Sequence, residues 1–175
     1  MPPFRPSILL LVLPALAACQ APARPAWPWG QPQPPAEQAL AATCRGDAGL
    51  AAELETAANA ARRVEGKTLL DRAEPLSRIA QSHACDMADQ GRAAVEGSNG
   101  SSVLDRARAA GYPACGVVQL AWRGGGPADA VAGWRGREAQ RAELLGQTSR
   151  QIGAGAATGR DGLTYHSLVL GDDCR

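Results

Sequence analysis

The sequence is short of several things, and each shortage closes a class of function. Aromatic residues make up only 4% of the chain. Three of them, Phe4, Trp27 and Trp29, fall before residue 30. The core must therefore pack on Ala, Leu and Val around a few large anchors. Charge of one sign is also missing: 18 basic residues face 17 acidic ones, for a formal net charge of +1. A balance that even carries no nucleic-acid footprint and no bias toward an acidic partner. There is no Cys-x-x-Cys pair, which argues against a zinc ribbon or a thioredoxin-like site. Gly124-Gly125-Gly126-Pro127 is not followed by Lys and Ser or Thr, so it reads as a flexible turn rather than a phosphate loop. The rest of the composition, 45% hydrophobic and 20% charged, is that of an ordinary globular protein.

The first residues are richer in signal. Arg5 precedes the apolar run Ile8-Leu9-Leu10-Leu11-Val12-Leu13, and Leu16-Ala17-Ala18-Cys19 follows. The run is shorter than the roughly 20 residues a membrane-crossing helix needs. It fits a secretory signal with small residues at the cleavage point. Leu16-Ala17-Ala18-Cys19 resembles the bacterial lipobox, which implies cleavage before Cys19 and acylation of its thiol. Residues 1–18 are then a lipoprotein signal peptide, and removing Arg5 with it evens the charge balance. Several acyl chains hold a protein stably on a membrane, at about 0.8 kcal/mol per buried CH₂. Gln20 after the cysteine resembles the sorting pattern of outer-membrane lipoproteins. The expected location is the cell envelope, on the outer membrane facing the periplasm. Residues 19–46 form a Pro/Ala-rich tether, too proline-dense for a helix and too poor in apolar residues for a core.

The four remaining cysteines, Cys44, Cys85, Cys115 and Cys174, are an even count in an exported chain and read as two disulfides. Three connectivities are open at this point. The domain proper is expected over residues 47–175. Leu50, Leu54, Ala57, Ala61 and Val64 recur at helical spacing, with Asp47 as N-cap and Gly66 as stop. Leu76, Ile79, Ala80, His83, Met87 and Ala88 form a second stripe that ends near Gly91. A short third helix opens at Ser101 or Ser102, with Ser102 and Asp105 in capping-box spacing. Helical pattern resumes over 128–134 and 138–145. Strand signals cover 116–122, 150–158 and 163–170, the last two joined by the turn 158–162. Helices first and strands last argue an α+β domain.

Seven stretches in this order resemble the CAP (SCP, pathogenesis-related-1-like) superfamily in its bacterial secreted branch. They include Ala80-Gln81-Ser82-His83-Ala84-Cys85-Asp86-Met87-Ala88, Asn99-Gly100-Ser101-Ser102-Val103-Leu104-Asp105-Arg106, Ala109-Ala110-Gly111-Tyr112 and Val131-Ala132-Gly133-Trp134. Arg141-Ala142-Glu143-Leu144-Leu145, Ile152-Gly153-Ala154-Gly155-Ala156 and the run from Tyr165 to Gly171 complete the set. The resemblance implies a three-layer α-β-α sandwich with a small, mostly antiparallel sheet and an open cleft. It also implies cleft His and Glu residues able to hold a divalent metal. This chain departs there, with Val95, Val117 and Gln140 at the matching positions. The expectation is a cleft without cofactor, lined by Val95, Val117 and Gln140 with His83 and Tyr165, that takes an apolar or peptidic envelope ligand. The alternatives are a structural lipoprotein with a collapsed cleft and a hydrolase using His83 or His166.

The bland readings weigh on the individual residues. His83 shares an apolar stripe and is expected to be a structural histidine bonded to a backbone carbonyl. His166 lies on the opposite face from Tyr165 by strand alternation and is expected at or near the surface. Ser101 and Ser102 are expected to cap a helix, and Arg135, Arg137 and Arg141 to be solvated helix charges. Cys85 stands nine residues past Leu76, about 180° around the helix, so a segment draped over that outer face must supply its partner. Cys44–Cys85 and Cys115–Cys174 follow as the expected pairs.

Overall fold

A computed structural model describes residues 44–174. The expectations for the signal peptide (1–18), for Cys19 and for the tether up to residue 43 lie outside the described residues. The elements run α1 (Ala48–Val64), β1 (Asp71–Arg72), α2 (Glu74–Gln90), α3 (Val103–Ala109) and β2 (Ala114–Arg123). They continue with α4 (Pro127–Arg135), α5 (Glu138–Leu145), β3 (Gln151–Thr158) and β4 (Thr164–Asp173).

Local chemistry sets the helix ends. Asp47 accepts from the Leu50 N–H at the start of α1, satisfying one of the donors a helix leaves open there. Pro75 stands in the first turn of α2, and Gly91 closes that helix in the left-handed conformation. Ser102 and Asp105 form the expected capping box on α3. Val64, the last member of the α1 stripe, is 77% exposed, because the core ends one turn earlier, at Ala61.

The sheet order is β1-β3-β4-β2. β3 and β4 form the terminal hairpin, β2 adds antiparallel to β4, and β1 pairs in parallel with β3. β1 was not foreseen; two exposed residues carry no periodicity. Alternation along β2 sends Val118, Leu120 and Trp122 to one face and Val117, Gln119 and Ala121 to the other. The first face packs under α1, α4 and α5 in a core built on Leu54, Trp134, Leu144, Ile152, Leu168 and Leu170. The second packs under α2 and α3 through Leu76, Ile79, Ala80, Ala107, Tyr112 and Val169, with Tyr165 and Met87 beyond them. The α-β-α sandwich is thus as expected.

Two features tie the layers together. Trp134 is fully buried and donates its indole N–H to the Ala121 carbonyl at 3.1 Å. Arg62, also fully buried, donates to the carbonyls of Thr68, Leu144 and Gly146 and so fastens the end of α1 to the end of α5. Gly153 and Gly155 let α2 lie directly on β3. A Cβ on Gly153 would overlap the backbone at Leu76 and Ser77, and one on Gly155 the backbone at Ala80 and Gln81.

The disulfides are Cys44–Cys85 and Cys115–Cys174. Cys85 is buried rather than turned to solvent, since the segment carrying Cys44 covers it. Among the described residues, no helix is long and apolar enough to cross a membrane.

Candidate functional site: a polar recess beside α2

A recess of about 650 Å³ opens at the C-terminal half of α2, between the 91–102 loop and the β3–β4 turn. Ser82, His83, Asp86 and Asp89 come from α2, Ser98 and Ser101 from the loop, and Thr158 and Arg160 from the turn. The Cys44–Cys85 bridge lies in its wall, and Arg106 of α3 closes it behind.

Hydrogen bonds hold the loop against α2. The Asp86 carboxylate accepts from both the backbone N–H and the hydroxyl of Ser98. His83 is 1% exposed, and its Nε2 lies 2.6 Å from the Ala94 carbonyl. A carbonyl can only accept, so Nε2 carries the proton and Nδ1 presents a lone pair. Burial, reinforced by the Arg106 cation, holds the imidazole neutral and lowers its pKa to about 4. The expectation of a carbonyl-bonded structural histidine is met.

Arg106 is 1% exposed. Nη1 donates to the Ser101 carbonyl and hydroxyl, and Nη2 to the Val95 carbonyl and to Gln119 Oε1, all between 2.7 and 2.9 Å. Gln119 in turn donates to Ser167 Oγ. Desolvation pulls the guanidinium pKa down to about 10. Sequence reasoning passed over this residue. The signal was present, because Val103, Arg106 and Ala110 share one face of α3 at helical spacing, which puts a charge on a buried stripe.

The expected apolar cleft does not form. Val95 is 43% exposed on the loop. Val117 is partly buried and packs against the core under α2 and α3, away from the recess. Gln140 belongs to α5 on the other side of the sheet, where it accepts a 3.4 Å hydrogen bond from Arg137. Strand alternation separates them: Val117 points away from the face that α5 covers. Tyr165 is fully buried, and its hydroxyl donates to Asp161 rather than facing the recess. Only His83 of the five expected lining residues reaches it. His166 is fully buried instead of near the surface, against the Gly125 carbonyl at 3.1 Å; α4 and the turn before it cover that face of β4. Two histidines on opposite faces cannot share a reaction centre.

Ser102 caps α3 as expected, whereas Ser101 caps nothing and instead accepts from Arg106. Of the basic residues expected to be solvated, Arg135 and Arg141 both pair with Glu65, and Arg137 lies over the Trp122 ring. The donor set does not fit a divalent cation. The two valines offer no lone pair and the glutamine, on the other side of the sheet from Val117, offers only an amide oxygen, a poor zinc ligand, and among the described residues no three His, Cys, Asp or Glu side chains converge.

A three-layer sandwich with this helix order, a terminal hairpin and a recess beside the second helix defines a CAP-type domain. The model of the CAP family, the Cysteine-rich secretory protein family, matches residues 56–170. The chain belongs to that family. Solved structures share the fold at low identity. An outer surface protein of Borrelia burgdorferi is 14% identical, with a TM-score of 0.62 over 70% of this chain and 91% of that one. An extracellular SCP-domain protein of Bacillus anthracis is 17% identical, with a TM-score of 0.57 over 69% of this chain. A cysteine-rich secretory protein of Staphylococcus aureus is 16% identical, with a TM-score of 0.56 over 75% of this chain. The match spans 40% of each of these last two proteins. No curated protein matches the chain significantly.

Proposed function

We propose that the protein is an exported envelope lipoprotein, anchored through Cys19, whose CAP domain is a non-catalytic binding module for a peptidic envelope ligand. The observation that carries this reading is the recess beside α2, large enough for a short peptide and lined by hydroxyls, carboxylates and guanidinium groups. Such a wall recognises amide and charged groups and leaves an apolar guest without matching partners. Its one histidine is buried, neutral and bonded to the backbone, so it supports binding rather than proton transfer. Export is supported by the two disulfides and by two structural relatives being an outer surface protein and an extracellular protein.

The test is direct. Acetyl-Ala-Ala-Ala, as acid or amide, shifts NMR resonances of Ser82, Asp89, Ser98 and Arg160, and Thr158→Trp at the recess mouth abolishes the shifts. Unmoved resonances would favour a structural lipoprotein that acts through its surface. For the anchor, globomycin should leave a larger precursor in producing cells; an unchanged precursor removes Cys19 from the account.

A further inference from the structure

Arg106 is a buried cation whose four acceptors are all neutral: two backbone carbonyls, a hydroxyl and an amide oxygen. Its remaining donor, Nε–H, is buried with no partner, and so is Nδ1 of His83; both side chains line the same recess. A buried charge is costly unless it is paired. The nearby acids leave this one short of an anion, since the Asp86 carboxylate is taken up by Ser98 and that of Asp105 caps α3. We propose that the recess recognises a carboxylate, which docks against Arg106 and supplies the anion the fold withholds.

A singly charged group fits better than a phosphate. Only one guanidinium donor is free, so the pairing is single-pronged for either anion and charge decides between them. The carboxylates of Asp86 and Asp89 in the same wall repel a dianion more strongly than a monoanion. Arg106 is 1% exposed, so docking against its Nε requires the 91–102 loop to ease outward around Ser98 and Ser101. This inference rests on the recess being a binding site, and the experiment separates the two.

The disulfide-intact mature protein is titrated by NMR with acetyl-Ala-Ala-Ala as the free acid, with its C-terminal amide, and with glucuronate. The acid is expected to bind at least tenfold more tightly than the amide, and Arg106→Gln to close that gap. Stronger binding of glucuronate would also support the carboxylate and place it on a sugar acid rather than a peptide end. The bound anion should in addition move the His83 titration upward against the Arg106 charge, with Asp86 acting in the same sense. Equal binding of acid and amide would overturn the carboxylate and leave the recess reading standing. Binding of none of the three would overturn both. If Arg106→Gln does not fold, the Arg106 Nε–H resonance of the parent protein is followed instead: the acid should shift it and the amide should not, and a resonance that the acid leaves unmoved overturns the proposal.

Discussion

Glycine 155 offers the sharpest test of how the layers meet. A methyl group there would overlap the Gln81 backbone, and neither a rotamer change nor a flexible side chain can relieve that overlap. Helix α2 would have to lift from β3 along a contact that also includes Gly153, Leu76 and Ala80. Overpacking a core costs about 1–3 kcal/mol when side chains can adjust; a backbone obstacle puts Gly155→Ala at about 3 kcal/mol or above. Two other glycines calibrate the effect. At Gly171 the added carbon meets the end of the Tyr112 side chain rather than backbone, and at Gly116 it meets nothing within 4 Å. The expected order of destabilisation is Gly155→Ala, then Gly171→Ala, then Gly116→Ala, the last within about 0.5 kcal/mol of the parent. Urea unfolding with the disulfides intact reads it out. With a slope of about 1–3 kcal/mol per molar, the Gly155→Ala midpoint should fall by roughly 1–3 M. Equal midpoints for Gly155→Ala and Gly116→Ala would refute the close approach of α2 to the sheet.

Two further outcomes follow from groups described above. The His83 imidazole stays neutral in the folded protein down to about pH 4, whereas the unfolded chain takes up its proton near the ordinary value of 6.5. Stability should therefore be full above pH 6.5 and decline as pH falls toward 4, by about 3 kcal/mol at 1.36 kcal/mol per unit. Chemical denaturation across that window should show this slope, and His83→Gln should flatten it. The two disulfides close loops of 41 and 59 residues, each adding about 4 kcal/mol in the chain-entropy model. Replacing Cys44 and Cys85 together by Ser should lower the thermal midpoint markedly, and a midpoint unchanged within error would contradict that account.

How much the sequence disclosed depended on the range of the signal. Helix starts at Asp47 and Ser102, the stop at Gly91 and the turn at 158–162 are written in neighbouring residues, and the structure has them where spacing put them. The disulfide pairs were legible because helix periodicity turns Cys85 away from Leu76, while Cys115 and Cys174 stand at the start of the first and just past the end of the last long strand, which lie side by side. The recess was not legible. Aligned positions suggested that Val95, Val117 and Gln140 converge, but which face of a sheet a residue meets depends on the register of β2 against β4. That register is a long-range property, and it sends Val117 toward α2 while Gln140 sits on α5 across the sheet. The burial of His166 was missed for the same reason, since only the placement of α4 and its preceding turn covers it. Arg106 is the instructive omission: its charge argued for solvent while its spacing argued for the interior, and the spacing was right.

The Cys44–Cys85 bridge also decides how the domain bears tension. The bond joins Cys44, three residues ahead of the α1 cap Asp47, to the part of α2 that lies on β3. A pull applied ahead of residue 44 passes through sulfur to α2 and bypasses α1 and β1, which sit inside the bridged loop and carry no load. A domain drawn on from its leading end would therefore resist through its most tightly packed layer, and α1 could not be peeled away as the first step.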